Sequence, residues 1–120
     1  MVESKTRQIG DIAVVELIGR LHLGTSLGYA ENALNRLIDG GTRKLVLDLA
    51  GLEHIDSSGL GMVIFCSGRM EQAGGRMRIA AAAPSVAKVF EIAHAERVLQ
   101  LDPDLETSCR NLAGQSAAEA

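Results

Sequence analysis

Tryptophan is missing from this 120-residue chain, and Tyr29, Phe65 and Phe90 are its only other large aromatic side chains. Base-stacking platforms and sugar-binding clefts lean on aromatic faces, so neither is expected here. Positive charge is also scarce: 12 Lys and Arg stand against 15 Asp and Glu, a formal net charge of −3. No basic stripe is left to follow a phosphate backbone, and nucleic acid is not an expected partner. No apolar run approaches the roughly 20 residues that cross a bilayer, and Met1–Lys5 begins no apolar signal region. With only Cys66 and Cys109, and no export signal, the expected setting is the reducing cytoplasm. Cys66 lies in an apolar stretch and reads as a small buried hydrophobe. His22, His54 and His94 are scattered and have no cysteines at metal-ligand spacing, so they read as ordinary surface or loop residues. No metal or cofactor is expected.

What is present is a globular balance, 47% apolar and 22% charged residues, in a chain long enough for one domain with a real core. Lys5–Ile9 and Ile12–Ile18 read as strands joined at Gly10-Asp11, with Gly19 breaking the second. Thr25 or Ser26 can cap a helix through Leu27, Ala30, Leu34, Leu37 and Ile38, which Gly40-Gly41 ends. Lys44–Leu49 is a nearly continuous apolar run, the pattern of a strand covered on both faces. A loop from Ala50 to Asp56 then leads to a helix from about Ser58 to Gln72, stopped by Gly74-Gly75. Arg76–Ala80 reads as a strand, Pro84 opens a helix through Phe90, and Val98–Leu101 is a short strand. Asp102-Pro103, with Asp104 and Glu106, begins a last helix. The predicted fold is a single α/β domain over residues 1–113, in the order β-β-α-β-α-β-α-β-α, with a frayed tail at 114–120. An opening hairpin followed by alternating helices and strands gives a mixed, mostly parallel sheet flanked by helices.

Chemistry concentrates where the central strand hands over to its helix, at Glu53-His54-Ile55-Asp56-Ser57-Ser58-Gly59-Leu60-Gly61. Functional loops gather at the carboxyl ends of strands in such sheets. Ser57 and Ser58 fall where the first N–H groups of a helix lack internal partners. One reading makes a serine the N-cap. The other makes the position a phosphate acceptor, because helix-end dipole and N–H groups tolerate the added charge of about −1.5 to −2. The helix-end effect is worth about 0.3–1 kcal/mol, so a phosphate leaves the fold standing. Its consequence falls on partner binding, where burying an unmatched anion costs several kcal/mol.

At about 100° per residue, Leu60, Val63, Ile64 and Ser67 share one face of the following helix, and Met62, Phe65 and Arg69 fall roughly opposite. An apolar pair on the back of a helix is either covered or offered to a partner. His54, Asp56 and Ser57 are hydrolase residue types, but they crowd into four positions and no Gly-x-Ser-x-Gly elbow is present. Gly59-Leu60-Gly61 lacks the third glycine of a dinucleotide fingerprint, and there is no Walker lysine.

Lys44–Leu49 followed by Ile55-Asp56-Ser57-Ser58-Gly59-Leu60-Gly61 resembles the STAS domain of bacterial anti-sigma factor antagonists, and the likeness extends over nearly the whole chain. The resemblance implies a non-enzymatic regulator. Ser57, with Ser58 as second choice, would be phosphorylated by an anti-sigma factor with serine kinase activity and reset by a serine phosphatase. Asp56, Ser58 and Gly59 would form the switch loop, and His22, Thr25, Leu60, Met62, Phe65 and Arg69 the partner-binding set, on a monomer or weak dimer. One departure stands out. The family often carries Gly-x-Leu-Asp after the second strand, where this chain has Gly19-Arg20-Leu21-His22. The other expectation is a scaffold or adaptor STAS domain of a signalling or lipid-transport assembly, with Ser57 only a helix cap.

Overall fold

The computed structural model describes residues 2–119, with side-chain surroundings as far as residue 114. β1 (Val2–Ile9) and β2 (Ile12–Leu21) pair antiparallel from Ile9↔Ile12 to Val2↔Gly19. Gly10 turns the hairpin at φ 62°, a left-handed value that glycine adopts without a steric penalty. Gly19 does not break β2 as expected. It sits at φ 108° where the pairing register slips between Gly19 and Arg20, so the irregularity is absorbed and the strand runs on to Leu21. His22 therefore stands immediately at a strand end.

α1 (Thr25–Asp39) buries Ala30, Leu34 and Ile38 and ends at Gly40-Gly41. Its N-cap is Gly24, with no side-chain cap, rather than Thr25 or Ser26. The Ser26 hydroxyl instead donates to the His22 carbonyl at 3.1 Å. β3 (Lys44–Ile55) is longer than expected. Leu45–Leu49 is buried throughout, as a strand with two covered faces should be. The segment read as a loop from Ala50 remains extended because Gly51, Leu52, His54 and Ile55 go on pairing with β2. α2 (Ser57–Gln72), β4 (Arg76–Ala80), α3 (Pro84–Ile92), a 3-10 turn at Ala95–Arg97, β5 (Gln100–Asp102) and α4 (Leu105–Glu119) follow.

The sheet order is β1-β2-β3-β4-β5, with β1 antiparallel and the other neighbours parallel, the mixed α/β arrangement expected. α1, α2 and α3 pack in the larger hydrophobic cluster, with Val15, Leu17, Leu47, Ile79 and Phe90 among its members. Ile12, Val14, Val46, Ala80 and Leu112 form a smaller cluster with α4 on alternate strand residues. β5 lies further along than expected, since Val98 is 56% exposed and the pairing falls on Gln100–Asp102. Asp102 does not cap α4; Asp104 does, accepting from the Thr107 N–H at 2.8 Å. Asp102 instead takes a bidentate bond from Arg78 (2.6 and 3.0 Å), and further bonds from Ser108 (2.6 Å) and Asn111 (2.9 Å). This buried network ties β4, β5 and α4 together. α4 continues through Gly114 to Glu119, past the point where a tail was expected.

Candidate functional site

β2 and β3 end side by side, with Leu21 paired to Ile55, and the chain leaves both at the same rim of the sheet. Asp56 joins the two exits. Its backbone N–H donates to the Leu21 carbonyl at 3.2 Å. One carboxylate oxygen accepts from the Leu23 N–H at 3.0 Å, and the other from the Gly59 N–H at 2.8 Å. Asp56 is thus the N-cap of α2, in extended conformation at φ −101°. The Gly59 and Leu23 bonds stabilise the ionised carboxylate and hold Asp56 below the ordinary range, and a proton on His22 would act in the same direction.

With Asp56 as cap, Ser57 becomes the first helical residue and is exposed, while Ser58 is half-buried. Neither serine serves as the side-chain cap. Gly59 is fixed by space: a Cβ there would lie 2.8 Å from Ile55 Cγ1 and 3.0 Å from the Leu21 carbonyl oxygen. The helix can start this close to the paired strand ends only with glycine at its third position.

Along α2, the buried positions are Gly59, Leu60, Met62, Val63, Cys66, Ser67 and Met70. Leu60 and Met62, both 5% exposed, belong to the core and are not available to a partner. The expectation that Met62 lies opposite the core assumed a narrow apolar stripe. The stripe is wide, because α2 packs against both α1 and the sheet, and it takes in Met62 at its border. Phe65 is outside it and 58% exposed, flanked by exposed Gly61 and Gly68. Arg69 reaches sideways to α1, bonding Asp39 at 2.8 Å and the Asn35 side-chain oxygen, so it braces the helix pair. Thr25 is exposed at the head of α1, on a groove of about 1060 Å³ lined also by Val2, Ile18, His22, Leu23 and Tyr29.

Two histidines that looked unrelated in the sequence meet here. His22 Nε2 lies 2.6 Å from His54 Nδ1, with the rings edge to face and their centroids 4.6 Å apart. Their separation of 32 positions hides the pair. The signal that could have found it is pairing of β2 with β3 beyond Leu49, which sets Arg20 opposite His54 and His22 one step past Leu21. Among the described residues, no group of three or more His, Cys, Asp or Glu side chains could hold a metal ion.

The model of the STAS domain matches residues 3–108 of the chain. The protein belongs to the STAS-domain family. As a STAS domain it is similar to BtrV of Bordetella bronchiseptica, whose name assigns it to the anti-sigma factor antagonists, at 37% identity over 62 residues. That match covers 52% of this chain and 53% of BtrV, so it spans about half of each. An anti-sigma factor antagonist from Mycobacterium paratuberculosis superposes with a TM-score of 0.86 at 17% identity, covering 94% of this chain and 95% of that one. The Bacillus antagonist SpoIIAA in its unphosphorylated form gives 0.78 at 20% identity, over 93% and 97%. Its phosphorylated form gives 0.69 at 20% identity, over 90% and 98%. These likenesses establish the STAS fold, and within it the Asp56–Gly59 segment occupies the rim where β2, β3 and α2 converge. Among the described residues, no helix of this STAS domain is long and apolar enough to cross a membrane.

Proposed function

We propose that this STAS domain is an anti-sigma factor antagonist whose binding to its anti-sigma factor is switched by a phosphate on Ser57. The observation that carries the reading is the placement of Ser57: exposed, first in α2, and held by a cap that leaves its own hydroxyl without a structural task. The adaptor reading gives Ser57 the role of helix cap, and Asp56 already fills it. The name of BtrV and the existence of SpoIIAA in both phosphorylated and unphosphorylated forms support the switch.

In the unphosphorylated state the partner docks on the outward face of α2, around Ser57 and Phe65, and sigma is released from the anti-sigma factor. The anti-sigma factor, acting as a serine kinase, brings the ATP, and this chain supplies the hydroxyl. Phosphorylation adds a charge of about −1.5 to −2 beside Asp56 and Glu53. The helix end tolerates it, but an interface fitted to a neutral hydroxyl does not, and about 1.4 kcal/mol of mismatch is tenfold in affinity. A serine phosphatase returns the domain to its binding state. The protein acts in the cytoplasm as a monomer or weak dimer and by binding alone.

Intact-mass analysis of protein from its own host, before and after phosphatase treatment, tests the modification. Binding of Ser57→Ala and Ser57→Asp to the anti-sigma kinase tests the switch. Retained binding by the alanine variant and loss by the aspartate variant is the expected pattern; equal binding by both sinks the reading.

A further inference from the structure

Among the described residues, the His22–His54 contact is a cluster of titratable side chains at the rim that the proposed switch does not use. Its geometry restricts how many protons it can hold. At 2.6 Å between Nε2 of His22 and Nδ1 of His54, one ring nitrogen donates and the other must be bare. One further proton can settle on the outer nitrogen of the donor ring, giving a charge-assisted N–H···N bond. A second has to enter between the rings, where it meets the existing N–H and breaks the contact. The contact as it stands therefore has room for a single added proton.

The surroundings set which way a new charge pushes this equilibrium. On β2, Arg20 stands opposite His54 in the strand register and opposes proton uptake. Asp56 at the head of α2 interacts with His22 and favours it. Glu3 of β1 and Tyr29 of α1 line the groove beside His22, and Glu53 precedes His54 on β3. Ser85 of α3 reaches the Glu53 carbonyl, with Lys88 one turn further on. Three carboxylates and two basic groups thus stand on the elements around the pair, and a phosphate on Ser57, next in sequence to the Asp56 that interacts with His22, adds about −1.5 to −2 charges to that set.

We propose that the His22–His54 pair takes up a proton when Ser57 acquires its phosphate, which makes the two states of the switch differ in charge by an amount that depends on pH. The proton comes from solvent and no covalent bond changes beyond the phosphorylation itself. Linkage makes the effect mutual: whatever the phosphate adds to proton affinity, the proton adds to the stability of the phosphorylated form. A partner repelled by the phosphate then meets a partly neutralised loop at lower pH, and release weakens there. This inference rests on Ser57 as the modified residue, but its test does not need the kinase.

The test follows the imidazole C–H resonances of His22, His54 and His94 through a pH titration of wild type, Ser57→Glu and, as a second acidic variant, Ser57→Asp. Ser57 is exposed at a helix start, where an acidic side chain is well tolerated. The expected result is a rise of about half a pH unit for the His22–His54 pair in both acidic variants, roughly threefold in proton affinity, with His94 unchanged. Unmoved midpoints, or an equal shift at His94, would overturn the coupling. If host protein carries no phosphate while the acidic variants still shift the pair, the phosphorylation reading fails and the electrostatic coupling stands.

Discussion

Ser57 and Phe65 stand on one outward face of α2, eight residues and about 12 Å apart along its axis. The Ser57 hydroxyl proposed as the phosphate acceptor and the large exposed aromatic thus lie within reach of one partner's footprint. Phe65→Glu is expected to weaken binding to the anti-sigma factor by roughly tenfold or more, as losing a buried aromatic anchor does. Stability should change by less than about 0.5 kcal/mol, because the ring is exposed in the free domain. Met62→Glu, by contrast, places a charge in the core and should unfold the domain. Calorimetric titration with the partner and urea denaturation separate the two outcomes. Undiminished binding by Phe65→Glu would remove this face from the interface.

Gly59→Ala is expected to destabilise the domain by about 1–3 kcal/mol, since the added methyl overlaps Ile55 Cγ1 and the Leu21 carbonyl. Gly61→Ala is the control on the same helix, with open space around its Cβ position and a helix-favouring change. Urea midpoints for the two variants should move in opposite directions.

Asp56→Ala removes the cap and should cost about 1 kcal/mol, with Asp56→Asn intermediate because the amide oxygen still accepts a hydrogen bond. The same carboxylate sets a pH dependence. Its folded-state pKa lies below the unfolded value near 3.8, so its contribution is fully present above that value. It is lost as the pH falls through the lower folded pKa. The wild-type midpoint should therefore drop on acidification below about pH 4 more steeply than that of Asp56→Asn, measured by urea denaturation at several pH values.

Asp102→Ala is expected to cost about 3–5 kcal/mol, because the Arg78 guanidinium is left buried without its counter-charge. Asp102→Ala with Arg78→Met in the same chain should recover part of that loss, since it removes the stranded charge. Burial alone would raise the Asp102 pKa, but the bonds from Arg78, Ser108 and Asn111 more than offset it and leave it lowered. Thermal unfolding of both variants at neutral pH checks the order.

Much of this was readable from residue pattern, and the failures share a cause. Leu45–Leu49 announced a two-sided strand and Pro84 a helix start, because burial on both faces and a fixed φ leave local marks. The continuation of β3 through Ala50–Ile55 left none: Gly51 and the polar Glu53 and His54 look like a loop, and only pairing with β2 keeps them extended. The same pairing creates the His22–His54 contact. Asp102 reads as part of a helix start because its four side-chain hydrogen bonds come from β4 and α4, which are distant or undirected in the linear pattern. Met62 falls outside the apolar stripe of a helix with one neighbour, whereas α2 packs against both α1 and the sheet. The site's residue types were legible at Asp56–Gly59; their roles, with the aspartate as cap and the serine free, needed the hydrogen bonds.

The two bonds of the Asp56 carboxylate reach partners of very different sequence separation, Gly59 three residues on and Leu23 33 residues back. The nearer bond could form in an isolated segment, whereas the farther one exists only after β2 and β3 have come together. A peptide copied from residues 53–61 would carry the same letters without the same shape. An enzyme that recognises this shape rather than the letters would modify completed molecules and pass over nascent or damaged ones, so that every mark it left would also certify that the chain beneath it had folded.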